Sequence, residues 1–214
     1  MRELKKVRLY GAGGHSQIIQ LLLKQNEFVI TEIFDDQPSN SHPACKNVID
    51  GARKDVKGFP HKGHPMIIAI GNNSERAVIA KLLKSEFTKA IHKNAIIDSS
   101  VKIGKGTVVY AGAVIQPNTT VGEHVIVNTL ASVDHDNILG DFVHISPNAT
   151  LCGLVQVGEG SHIGAGSVVI PKIKIGKWCI IGAGTVIIEN VPDYAVVVGN
   201  PGKIIRTNNP TILP

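Results

Sequence analysis

From Ile97 to Ile187, every sixth residue is Ile, Val or Leu: Ile97, Ile103, Val109, Ile115, Val121, Val127, Val133, Leu139, Ile145, Leu151, Val157, Ile163, Val169, Ile175, Ile181 and Ile187. A register of this length and period fits neither a helix nor strand alternation, and it demands a repeat architecture. A second period lies on the first: Gly104, Gly122, Gly140, Gly158 and Gly176 fall eighteen apart, each just after a register position. Eighteen is three sixes. The spacing predicts a triangular coil with three short strands per turn, in which equivalent residues stack at about 4.8 Å, the distance between neighbouring strands. The register residues then form ladders down the inside. Four residues beyond them the side chains are mostly small (Thr107, Ala113, Thr119, Ala131, Ala149, Ser161, Ser167, Thr185), as tight corners require. The spaced glycines are expected to relax the backbone at a fixed corner. Asn137 departs from the small-residue rule, and Pro171 in "IPKIKI" departs from the corner pattern. The segment "YAVVVGNP" beyond the last clear hexad must cover something, either the open end of the coil or a neighbouring chain.

The first ninety or so residues have another period. "KKVRLYGAGGHSQIIQLLLK" reads as a strand, a Gly-rich turn and an amphipathic helix. "VITEIFDD" is a second strand ending in two acids, and "PMIIAIGNN" a third, followed by a helix from about Ser74 to Leu83. Such alternation predicts a small doubly wound α/β parallel sheet. The pattern switches between His92 and Ala95, which divides the chain into residues 1–94 and 95–214. Aromatics make up 4% of the chain against 43% apolar residues overall, so the core must be aliphatic. The net charge of +5 is spread without basic runs, which argues against a nucleic-acid partner and suits small anionic ligands such as nucleotides. Cys45, Cys152 and Cys179 are odd in number and lack metal-type spacing, so free thiols and no metal are expected. With no signal-peptide apolar region and no apolar run of membrane-spanning length, the expected protein is soluble and cytoplasmic.

"GAGGHS" follows a strand and opens a helix. Gly11, Gly13 and Gly14 would let the backbone approach a phosphate, with His15 placed to touch it, or else form merely a tight turn. Ser16 stands where a dinucleotide fingerprint has its third glycine, so a nucleotide diphosphate is the expected ligand. Asp35 and Asp36 end the second strand, where acids accept from ribose hydroxyls or base N–H groups or else sit in a solvated loop. Gly71, Asn72 and Asn73 end the third strand at the same edge. Within the coil, His124 is expected at the surface, while His162 lies eighteen beyond His144 and should stack on it. His135 lies eighteen before Gly153. A histidine one turn from a residue without a side chain leaves an open notch beside a backbone N–H, which would place a base next to an oxyanion donor. A plain surface histidine is the alternative.

The stretches "YGAGGHS", "FDD", "AIGNN", "VDHDNILGDFVHISPNATLCG" and "VGNPGK" extend these readings. Together with the hexads they resemble the bacterial hexapeptide-repeat acyltransferases that N-acetylate nucleotide-linked 4-amino-dideoxy sugars, and their sialic acid O-acetyltransferase relatives. The resemblance implies a Rossmann-like nucleotide-sugar domain and a left-handed parallel β-helix, an exception to the usual right-handed crossover. It implies acetyl-CoA as co-substrate and a homotrimer holding the coenzyme between neighbouring coils. It implies His135 as catalytic base, Asp136 as its support with Asp134 as rival, and a Gly153 N–H directed at the thioester carbonyl. His144, Gly164, Ala165, Gly182 and Ala183 would contact acetyl-CoA. The function expected is N-acetylation, for glycan biosynthesis, of a 4-amino-4,6-dideoxy sugar carried on UDP. The alternatives are O-acetylation of a sialic acid or other sugar, and a non-catalytic nucleotide-sugar-binding protein.

Overall fold

The computed structural model describes residues 4–52 and 55–209. Its N-terminal part is a parallel sheet of β1 (Lys5–Tyr10), β2 (Phe28–Asp35), β3 (Val48–Asp50) and β4 (Met66–Ile68), in the order β3-β2-β1-β4. Alternate residues of β1 serve opposite faces. Val7 and Leu9 pack with Ile19, Leu22 and Leu23 of α1 (Gly14–Gln25). Tyr10 packs with Phe34, Met66, Ile68 and Ile79, the last from α2 (Asn73–Leu82). The sheet is thus wound on both sides. The short strand β3 carries too weak a signal in "VID" to be read beforehand.

The rest is a left-handed parallel β-helix. Its first strand, Ala90–Ile91, pairs with Val108–Val109. Two-residue strands then repeat every six residues and stack in parallel at an offset of eighteen, as in Ile126↔His144 and Thr120↔Ile138. They build three faces of five, six and eight strands. The register residues from Val109 to Ile187 fill one continuous core. The eight-stranded face meets the N-terminal domain: Val108, Tyr110 and Ile126 pack with the residues beneath α1.

Every sixth residue from Gly106 to Gly184 has φ between +54° and +71°, and these residues form the vertices of the triangle. Nine of these fourteen are not glycine, among them Asn118, Asp136 and Asn148. The structure therefore corrects the expected role of the eighteen-spaced glycines. They do not relax a turn; they let successive turns touch. A Cβ on Gly140 would lie 2.7 Å from Glu159 N and 3.1 Å from Gly158 C. The small corner residues, Thr107 through Thr185, are fully buried as expected. Pro171 leaves the corner intact, because Lys172 keeps the vertex conformation at φ +66° and donates its N–H to Gly153 O. The "YAVVVGNP" segment covers the end of the coil. Ala195–Val198 pairs with Ile180–Ile181 and with Lys203–Thr207, and Ala195 and Val197 join the core.

Candidate active site

His135 sits on the corner between the six- and five-stranded faces, one residue before the vertex Asp136 (φ +56°). The left-handed turn at Asp136 folds its short side chain back over the preceding ring. Asp136 Oδ2 lies 2.7 Å from His135 Nδ1. Asp134 does something else: its Oδ1 accepts from the His135 backbone N–H at 2.8 Å. The Asp136 hydrogen bond is the main cause raising the pKa of His135, with Asp134 and Asp136 charges adding to it, and the same bond lowers the pKa of Asp136. With Nδ1–H donated to a carboxylate, Nε2 presents its lone pair.

Gly153 lies on the next turn, against that nitrogen. A Cβ there would come within 2.6 Å of both Nε2 and Cε1 of His135. The Gly153 N–H has no acceptor among the described residues. Half the His135 side chain is open, at 52%. The His135–Gly153 neighbourhood read from the eighteen-residue spacing is therefore present, with the imidazole filling the space that a Gly153 side chain would take.

The Gly-rich turn lies elsewhere. Gly11 has φ +112°, and a Cβ on it would strike Ala69 O at 2.8 Å. Only glycine fits there. Gly13 and Gly14 are different: a Cβ on either would meet nothing within 4 Å, so their bareness leaves space in front of the α1 N-terminus. No side chain among the described residues caps that helix end. Asp35 braces the turn, its Oδ2 accepting from Ala12 N at 2.7 Å and its Oδ1 from Gln37 N at 2.8 Å. Asp36 receives the Tyr10 hydroxyl. Asn72 caps α2 by accepting from Glu75 N at 3.0 Å.

His15 and Gly71 converge where the sheet edge meets the coil. His15 lies 3.1 Å from Tyr110 Oη and beside His144. His144 stacks on His162, ring centroids 4.7 Å apart, as the spacing predicts. The Asn128 amide meets His144 Nε2 at 3.1 Å. His124, expected outside, is buried: it stands edge-on to Phe87 and stacked on Phe142. The aromatic at Phe142, eighteen residues on, was the available signal. Sequence reasoning also missed Arg76, which is 1% exposed. Its guanidinium donates to Ile70 O and Gly71 O on the sheet side, to His124 O and Phe142 O on the coil, and to Asn73 Oδ1. The neutral acceptors clasp the two domains together, and burial lowers the Arg76 pKa to about 9.

That seam is expected to make the protein acid-sensitive. Burial first, then Arg76, holds His15 and His124 at pKa values of about 4, and His144 and His162 are lowered as well. Asp141 is the charge that opposes this at His124. The unfolded chain then binds more protons than the folded one between about pH 6.5 and pH 4, so stability is full above that window and is lost as pH falls through it. Melting temperature is expected to drop steadily from pH 7.5 to pH 5; a flat profile would refute neutral burial of these rings.

Gly164, Ala165, Gly182 and Ala183 stack around the corner between the eight- and six-stranded faces, where Gly164 packs against the Gly182–Ala183 backbone. In one chain, then, the predicted residues form three groups. His135 and Gly153 occupy the corner opposite the eight-stranded face, on which the N-terminal domain rests, so a single chain does not bring the base to the Gly-rich turn. Among the described residues there is no cluster fit for a metal and no helix long and apolar enough to cross a membrane.

Comparison with known proteins identifies both parts of the chain. Residues 6–83 match the PglD N-terminal domain family, and residues 154–189 match the bacterial transferase hexapeptide family of six repeats. The acetyltransferase domain of PglB from Neisseria gonorrhoeae is 34% identical, with a TM-score of 0.84, over 94% of this chain and 100% of that one. The chain belongs to the PglD-type hexapeptide acetyltransferases. The same PglB domain has been solved with acetyl coenzyme A. A second solved structure, a His-to-Asn variant of perosamine N-acetyltransferase from Caulobacter crescentus with CoA and GDP-perosamine, is 31% identical over 95% of this chain and 98% of that one, with a TM-score of 0.86. Among curated proteins, UDP-N-acetylbacillosamine N-acetyltransferase of Bacillus subtilis is 40% identical over 112 residues. That match covers 50% of this chain, which spans about half (51%) of the curated relative's length.

Proposed function

We propose that this protein transfers acetyl from acetyl-CoA to the amino group of a nucleotide-linked 4-amino-4,6-dideoxy sugar, with UDP as the nucleotide. The observation that carries this reading is the notch at His135: a carboxylate-supported imidazole whose Nε2 lies where a Cβ on Gly153 would stand, next to a peptide N–H without an acceptor among the described residues. The relatives' names supply the substrate class, and the 40% identity to the UDP-sugar enzyme favours UDP.

In this mechanism the neutral amine attacks the thioester carbon. His135 Nε2 takes the proton the nitrogen sheds, and Asp136 supports the resulting imidazolium. Gly153 N–H donates to the oxygen as it becomes negative. The tetrahedral species then expels the CoA thiolate, which takes the proton back from His135. One C–N bond forms, one C–S bond breaks, and the enzyme is restored. No metal takes part. The Gly-rich turn and the α1 N-terminus hold the diphosphate, with His15, Asp35, Asp36, Gly71 and Asn72 around the nucleotide. The second corner, Gly164 to Ala183, and His144 line the coenzyme path.

We assign this activity to a homotrimer in the cytoplasm, where acetyl-CoA is made. The base and the Gly-rich turn lie on opposite sides of one coil, and a neighbouring copy is the simplest way to unite them. Exposed apolar side chains flank both corners: Ile138 and Leu154 near His135, and Leu130 on the corner that carries Ala165. Such rows favour contact between chains.

The identity of the substrate is tested by thiol release from acetyl-CoA with UDP-, dTDP- and GDP-linked 4-amino sugars and with sialic acid. Release with sialic acid alone would replace the N-acetyl reading by O-acetylation. A sugar nucleotide bound without release would leave a binding protein. The turn is tested by Gly14→Val, whose added Cβ would meet nothing within 4 Å, so that the variant should fold. Its KM for the nucleotide sugar is expected to rise about tenfold or more by loss of close phosphate approach, with the KM for acetyl-CoA changed less than twofold. An unchanged sugar KM would make the turn purely structural.

A further inference from the structure

Asn137 occupies the inward corner that elsewhere in this coil carries Thr, Ser or Ala, or an apolar Val, Ile or Cys. It is fully buried. Its amide nitrogen donates to Asp134 O at 2.6 Å and to Cys152 O at 3.0 Å, with His135 O at 3.3 Å. Its Oδ1 has no partner among the described residues. A buried unpaired acceptor costs about 1–3 kcal/mol, which Thr or Ala at this corner would avoid.

Four of the five corners that carry a hydroxyl show one pattern, and the Thr185 hydroxyl has no partner among the described residues. The hydroxyls of Thr107, Thr119, Ser161 and Ser167 each donate to a carbonyl fifteen residues on, as Asn137 does to Cys152. A hydroxyl has one hydrogen and serves one carbonyl at a time. An amide has two, and Asn137 uses them on two turns at once. One bond ends on the corner that carries His135. The other ends on Cys152 O, the carbonyl of the peptide whose N–H belongs to Gly153. A bond accepted at that carbonyl fixes the peptide plane and polarises its N–H.

We propose that Asn137 is a positioning residue that ties the base corner to the oxyanion-donor peptide and so fixes the distance between His135 and Gly153 N–H. This rests on the reading of His135 and Gly153 given above. Asn137 touches neither substrate, so its loss should act on kcat and not on binding.

The test compares Asn137→Ala and Asn137→Thr with His135→Ala in the full chain; Ala and Thr stand at equivalent corners and should fold. Asn137→Ala is expected to lower kcat about tenfold or more through misplacement of the donor, with both KM values within twofold. Asn137→Thr, which can keep the Cys152 bond, should recover part of that loss. The acid limb of the pH profile should stay in place in both, because Asp136 still holds Nδ1. The Gly153 amide resonance should move in Asn137→Ala and less in Asn137→Thr. An unmoved resonance, or wild-type kcat in Asn137→Ala beside an inactive His135→Ala, overturns the proposal alone. Wild-type kcat in His135→Ala overturns the base reading and the proposal with it.

Discussion

His135→Ala is expected to fold normally and to lose roughly a hundredfold or more in kcat, the scale of a missing general base. The ring is half exposed and contributes nothing to the core, so loss of activity should come without loss of melting temperature. Its pH dependence carries a sign. The base works when neutral, and the Asp136 hydrogen bond raises its pKa, so wild-type activity should fall as pH drops through that raised value. Asp136→Asn removes the chief cause of the rise. Its acid limb should move to lower pH, and its plateau should fall because a weaker base accepts the proton less readily. Measuring kcat/KM from pH 5 to pH 9 for the three proteins decides the matter. Near-wild-type turnover in His135→Ala at neutral pH, or an unmoved limb in Asp136→Asn, would remove His135 from the chemistry.

A second large effect is expected on mixing two dead enzymes. His135→Ala spoils one corner of the coil. Ala165→Trp blocks another corner, at the other edge of the six-stranded face. If each site joins the base corner of one chain to the coenzyme corner of the next, every mixed trimer retains one interface built from two intact halves. Random exchange in a three-fold ring should then restore about a quarter of the wild-type activity, starting from almost none. Chains exchanged by mild denaturation and renaturation, assayed against each parent treated alike, give the comparison. Mixtures no better than their parents would mean that the two corners serve sites within single chains. A monomer by light scattering at assay concentrations would dispose of the shared site altogether.

The coil, its three-fold stacking and the His135–Gly153 and His144–His162 neighbours were legible in the chain because a parallel coil converts sequence spacing directly into contact. Side chains at Val109, Val127 and Ile145 have no choice of neighbour once the period is set. What lay beyond reach depended on angles and on packing between domains. The reach of Asp136 to the ring follows from a left-handed φ at a residue that is not glycine. The burial of His124 and Arg76 follows from which face the N-terminal domain covers, and hexad counting treats all three faces alike. The eighteen-spaced glycines were legible as a pattern but not as a cause, since close approach of two turns and relief of a turn both ask for the same residue.

The eighteen-residue offset between stacked strands also fixes which changes of length this chain can absorb. Removing or adding eighteen residues takes out or inserts one whole turn and leaves every later side chain facing as before. A change of six preserves the inward ladder yet rotates all that follows by one face. Such a deletion between His135 and Gly153 would keep the core apolar and the protein soluble, but it would bring Glu159 over the histidine in place of Gly153. Loop-like tolerance to insertion is therefore absent here in a specific sense: the scaffold counts in sixes to stay folded and in eighteens to stay functional.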